Sequence, residues 1–189
     1  MNLPNLISLS RVIAAPVMWV LIYTDHETAF RWLLTFAFFT DLIDGVIARK
    51  LKQVTRTGSI LDSYGDSLTI LSGIAGLIRF RPGLFEDYSM VLILVLSLHA
   101  LQLLLSLWRY GRPSAFHTWS AKTGALAIGL FILITLHVDF IPWLFWITVV
   151  ILIVDAVEES ILVFLIKEWK NDIKGLWWII KEKSGHHKK

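Results

Sequence analysis

Four aspartates, Asp41, Asp44, Asp62 and Asp66, interrupt otherwise apolar stretches in two pairs. Residues three or four apart share a helix face. Asp41, Asp44, Gly45 and Ala48 therefore form one stripe, and Asp62 and Asp66 another. If the two segments are antiparallel neighbours joined by a short loop, the four carboxylates converge in one pocket. Their repulsion in a low-dielectric site is strong, and divalent cations relieve it. Hard oxygen donors without nearby His or Cys suit Mg²⁺ or Mn²⁺ better than Zn²⁺. The simpler alternative makes these acids helix caps or partners of Arg49, Lys50 or Arg56; two facing pairs disfavour it.

The residues between the pairs suit an anionic ligand. Gly45 and Ala48 leave a groove on the acidic stripe, and Arg49 can fork onto phosphate oxygens. Gly58, at the start of the next segment, frees backbone N–H groups for phosphate. Taken one at a time, such small residues more often let membrane helices pack closely.

A further polar segment contains Arg109, Arg112, His117, Lys122 and Thr123. These cationic and hydroxyl donors suit a small ligand that carries phosphate. The plainer reading is that they mark a cytoplasmic loop. Asp155, Glu158 and Glu159 share another helix face, where they could receive Arg109, Arg112 or ligand hydroxyls, or serve as hydrogen-bonded structural groups. His99 and Gln102 are polar packing candidates without assigned chemistry. Asp25, Glu27, Glu86, Asp87 and Asp139 fall at segment edges and are expected to be solvated.

The elements that must position these groups follow from composition. Of 189 residues, 56% are hydrophobic and 17% charged, against about 45–50% and about 25% in ordinary soluble domains. That excess excludes a water-soluble enzyme and a disordered chain, and leaves no face for a nucleic-acid-binding stripe. The absence of cysteine excludes disulfides and thiolate metal sites. A spanning helix needs roughly 20 apolar residues, and six segments qualify: 6–23, 29–48, 59–78, 88–108, 120–138 and 141–166. Arg11 and Pro16 interrupt the first, which argues against a cleaved signal peptide. With both termini in the cytoplasm, all but Arg31, Arg79 and Arg81 of the 18 Lys and Arg fall on the cytoplasmic side, as the positive-inside rule requires. The expected fold is an all-α integral membrane protein: a six-helix transmembrane bundle with cytoplasmic ends and an active site facing the cytoplasm. Residues 1–168 form the bundle domain, and 169–189 a basic cytoplasmic tail. Residues 1–10 and 171–183 read as interfacial helices, the latter placing Trp177 at headgroup depth and Lys174, Lys181 and Lys183 toward anionic lipid.

Residues 41–66 read Asp-x2-Asp-Gly-x2-Ala-Arg-x8-Gly-x3-Asp-x3-Asp. This resembles the signature of the CDP-alcohol phosphotransferase family of membrane phospholipid-synthesis enzymes. The opening Asn-Leu-Pro-Asn-Leu-Ile-Ser-Leu-Ser-Arg is similar to that family as well. The resemblance implies transfer of a phosphatidyl-type group from a CDP-linked lipid such as CDP-diacylglycerol to a small polar alcohol, with release of CMP; Arg109, Arg112, His117, Lys122 and Thr123 would then suit an acceptor that carries its own phosphate, such as glycerol 3-phosphate or inositol phosphate. It also implies a homodimer of six-helix bundles with an N-terminal juxtamembrane helix. Asp41, Asp44 and Asp62 would be ligands of the metal, taken as two Mg²⁺ or Mn²⁺ ions; Asp66 would touch the metal site and act as general base. Gly45, Ala48, Arg49 and Gly58 would line the CDP site. The non-enzymatic rival, a divalent-cation carrier with an intramembrane carboxylate site, explains the aspartates but not Gly45, Arg49, Gly58 or their spacing.

Overall fold

In the computed structural model, residues 3–51, 56–114, 116, 118–166, 173, 175–179 and 181 are described; within them, the side chains of 3–5, 7, 42–51, 56–60 and 63 are not. Among the described residues the chain is all-α, with no strand. Six long helices follow in order: α1 (Leu3–Tyr23), α2 (Glu27–Leu51), α3 (Arg56–Phe80), α4 (Pro82–Tyr110), α5 (Trp119–His137) and α6 (Pro142–Leu165). They coincide with the six expected segments to within a few residues, except that α4 starts earlier. Tyr88 breaks its helical geometry (φ −119°, ψ 19°), at the residue where the apolar stretch begins. Residues 3–10 run into α1 without interruption, so the expected juxtamembrane segment and first span share one helix.

The helix ends have local causes. At the end of α1, Asp25 takes φ 58°, while His26 N–H donates to Leu21 O and Asp25 N–H to Ile22 O. This double closure needs a left-handed residue, a position that Gly usually fills. Gly111, at φ 69°, ends α4, its N–H donating to Leu107 O. Pro142 opens α6, where its missing N–H costs no helical hydrogen bond.

Two helices, α4 and α5, are long and apolar enough to cross a membrane. On α4, Met90, Ile93, Leu94, Leu96, Leu101, Leu104 and Trp108 are all exposed, a surface that suits lipid. The helices α2, α3 and α6 dilute their apolar runs with Asp, Glu or Arg. Those charges are the ones that could carry chemistry.

The chain divides into two compact units, Met1–Asp87 with Gly129–Phe140, and Tyr88–Ile128 with Ile141–Lys189. In the first, Met18, Phe30, Leu34, Ala37, Leu77, Ile132 and Leu136 are buried, and a Cβ on Gly76 would collide with the Phe30 ring. The three arginines on the minority side of the charge count are all engaged here. Arg79 pairs with Asp25 at 2.5 Å and Arg81 with Glu27 at 3.0 Å. Arg31 and Arg81 also donate to Leu136 O in the last turn of α5, the negative end of its dipole. Asp25 and Glu27 are thus partners of arginine, where solvation was expected.

In the second unit, Phe116, Leu162, Val163, Ile166 and Ile173 form a buried cluster, with Tyr110, Leu176 and Ile179 against it. Ile173 and Leu176 belong to the expected tail, so part of that tail is built into this unit.

Candidate metal centre

Helices α1, α2 and α3 pack against one another, and the site lies where they meet. Gly65 of α3 is buried; a Cβ there would come within 3.2 Å of Arg11 Nε, 3.3 Å of Arg11 Cβ and 3.5 Å of Ser8 O. The small residue therefore allows α1 to approach α3 closely. That approach brings Arg11 beneath the acidic faces. The C-terminal part of α2 supplies Asp41, and the N-terminal part of α3 supplies Asp62 and Asp66, one helical turn apart.

Asp41, Asp62 and Asp66 each direct a carboxylate oxygen to a common point, the three atoms lying within 4.8 Å of one another. The spacing of the two pairs predicted this convergence. All the donors are carboxylate oxygens, with no His or Cys, as hard divalent ions prefer. The three side chains keep 37%, 43% and 40% exposure, so an open face remains for further ligands.

Arg11 is the residue that sequence reasoning missed. There it counted as a cytoplasmic charge and an interruption of the first apolar segment, with no role at the site. It is 1% exposed, and its Nη2 lies 3.1 Å from Asp41 Oδ1, 2.5 Å from Asp62 Oδ1 and 3.0 Å from Asp66 Oδ1. A signal was available: α1 has no acidic residue of its own, and an intramembrane arginine needs anionic partners from elsewhere. Beside Arg11 opens a groove of about 210 Å³ between α1 and α2, its walls including Ile13, Ala14, Val17, Leu33, Phe36 and Ala37.

A model of the CDP-alcohol phosphatidyltransferase family matches residues 1–156, which include every residue of this centre. The chain belongs to this family. Among curated relatives, it is similar to the CDP-diacylglycerol--glycerol-3-phosphate 3-phosphatidyltransferase of Aquifex aeolicus, 41% identical over 68 residues, or 36% of this chain and 38% of that protein. The Pseudomonas fluorescens protein of the same name is 33% identical over 88 residues, 45% of each chain. The CDP-diacylglycerol--inositol 3-phosphatidyltransferase of Saccharomyces cerevisiae is 34% identical over 96 residues, 51% of this chain and 41% of that one. The chain thus spans less than half the length of these relatives. No solved structure matches it.

Of the remaining signature positions of the family, Asp44, Gly45, Ala48, Arg49 and Gly58 lie on α2 and α3, but their side chains fall outside the described residues, as does all of His117. The other acceptor candidates belong to the second unit. Arg109 donates to Ile166 O and Phe164 O, capping the C-terminal end of α6 where the dipole favours a cation. Lys122 lies over the Trp119 ring at 5.7 Å. Thr123 returns its hydroxyl to Trp119 O and Ser120 O. Arg112 is exposed at the end of α4, and its carbonyl accepts from Ser106.

The second acidic group is hydrogen-bonded throughout. Gln102 Nε2 donates to Glu159 at 2.6 Å, and Ser114 donates to the same oxygen at 3.0 Å. Ser120 donates to Asp155 and to Glu158, and His99 Nε2 lies 3.8 Å from Asp155. Glu158 also accepts the Leu176 N–H at 2.7 Å, tying the tail to α6. His99 and Gln102 are therefore partners of partly buried acids.

Proposed function

We propose that this chain is a metal-dependent CDP-alcohol phosphatidyltransferase of phospholipid synthesis. It transfers a phosphatidyl-type group from CDP-diacylglycerol or a similar CDP-linked lipid to a small alcohol and releases CMP. One observation carries the reading: in a chain of this family, the Asp41, Asp62 and Asp66 carboxylates point to one spot within 4.8 Å of each other.

Asp41, Asp44, Asp62 and Asp66 hold Mg²⁺ or Mn²⁺, two ions by analogy with paired-metal phosphoryl-transfer sites. When bound, the metal neutralises diphosphate charge and polarises the phosphorus under attack. Arg49, with Gly45, Ala48 and Gly58, seats the CDP moiety. The groove beside Arg11 offers apolar walls to an acyl chain. Asp66 accepts the proton of the acceptor hydroxyl, whose oxygen bonds to the lipid-side phosphorus as the bond from that phosphorus to CMP breaks. The acceptor carries its own phosphate, glycerol 3-phosphate being the first candidate. The names of the Aquifex aeolicus and Pseudomonas fluorescens relatives, which specify glycerol 3-phosphate, support this choice, whereas that of the Saccharomyces cerevisiae relative specifies inositol. The six helices span the cytoplasmic membrane with both ends and the catalytic centre on the cytoplasmic side, and the working form is a homodimer.

The test uses purified protein in detergent with CDP-diacylglycerol, Mn²⁺ and a panel of glycerol 3-phosphate, inositol phosphate, inositol, serine and choline. CMP release that requires both metal and acceptor, and stops with EDTA, is expected. No CMP release, together with Mn²⁺ flux into proteoliposomes, would replace the enzyme with a cation carrier.

A further inference from the structure

Arg11 stands where a cation would have to stand. Its Nη2 makes contacts of 2.5–3.1 Å with one oxygen from each of Asp41, Asp62 and Asp66. A divalent ion bound to those oxygens would lie within a few ångströms of that nitrogen, and at such a range in a partly buried site the two positive centres repel strongly and compete for the same carboxylates.

The surroundings show why a guanidinium is there at all. Arg11 is 1% exposed, so it is removed from water and depends on the acids for its charge. The acids, each about two-fifths exposed, depend on it less. The close approach of α1 to α3 at Gly65 fixes the arginine at this depth. Three carboxylates against one guanidinium leave the acids in excess, so the cluster keeps an attraction for a further cation.

We propose that Arg11 is the resident counter-cation of the metal centre. It holds Asp41, Asp62 and Asp66 together until a divalent ion displaces it from their shared oxygens, and this competition weakens metal affinity while stabilising the metal-free protein. The inference rests on the metal-binding reading above.

The experiment is Mn²⁺ titration of the purified chain and its Arg11→Gln and Arg11→Lys variants, read by the electron-paramagnetic-resonance signal of free Mn²⁺, with thermal unfolding in EDTA and in Mn²⁺. Arg11→Gln should bind Mn²⁺ at least roughly ten-fold more tightly, since a like charge is removed from the site. It should unfold at a lower temperature in EDTA and gain more from Mn²⁺ than the unsubstituted chain does. Arg11→Lys, which keeps the charge but not the planar fork, should fold and bind with intermediate affinity. Equal or weaker Mn²⁺ binding by both variants overturns the inference and leaves the metal centre standing. If no form binds Mn²⁺ saturably, both the metal reading and the inference fail.

Discussion

Arg11 and Asp62 meet at 2.5 Å although 51 residues separate them. The contact fastens α1 to α3 at the level of the carboxylates, and Asp66, one turn further along α3, adds a second at 3.0 Å. A helix with no acid of its own thus takes its counter-charge from two of the residues proposed to hold metal.

Asp66 is placed to separate proton transfer from ligand binding. Asp66→Asn should lower turnover by roughly 100- to 10,000-fold, the contribution of a general base, while CDP-diacylglycerol binding stays within a few-fold. Single-turnover CMP release and equilibrium lipid binding measure the two quantities. Near-normal turnover would take the base role away from Asp66.

Asp62 bears the shortest Arg11 contact and one of the three converging oxygens. Asp62→Asn should reduce both Mn²⁺ affinity and stability in EDTA, because the same carboxylate charge attracts both cations. A variant that lost only one of these would show that the metal and the arginine use different atoms.

Gly76 packs on Phe30, which is fully buried, and an added Cβ would overlap its ring. Gly76→Ala should destabilise the protein by about 1–3 kcal/mol, the usual consequence of overpacking. The readout is unfolding of detergent-solubilised protein in EDTA. The aspartate cluster lies outside this contact, so Mn²⁺ affinity of the folded fraction should remain unchanged.

Gly175 has φ 149°, and a Cβ there would sit 2.9 Å from Glu158 Oε1, the atom that accepts the Leu176 N–H. Gly175→Ala combines backbone strain with loss of that hydrogen bond. It should release the tail, detected as faster limited proteolysis of the C-terminal end at unchanged Mn²⁺ affinity. Glu158→Ala should do the same.

Arg79 and Asp25 form a pair in which both side chains are more than half exposed. Solvent screening limits such pairs to about 0–1 kcal/mol. Arg79→Ala should therefore shift the unfolding temperature little, and more weakly still in high salt.

How much of this was legible in the chain follows from the range of each interaction. Helix periodicity is local, so the six helices and the shared faces of Asp41 with Asp44 and of Asp62 with Asp66 follow from spacing alone. A short connection between two such helices then brings their acidic ends to the same level, and the three carboxylates among the described side chains do converge. Charge partners across distant segments have no such local signature. Only the fold reveals that Arg11 fills the centre of that cluster, that Asp25 and Glu27 neutralise Arg79 and Arg81, and that Arg109 is occupied by the end of α6. Each of these pairings requires a close approach of helices, as Gly65 permits for α1 and α3. Low dielectric selects such pairings because a buried charge must find a partner wherever packing puts one.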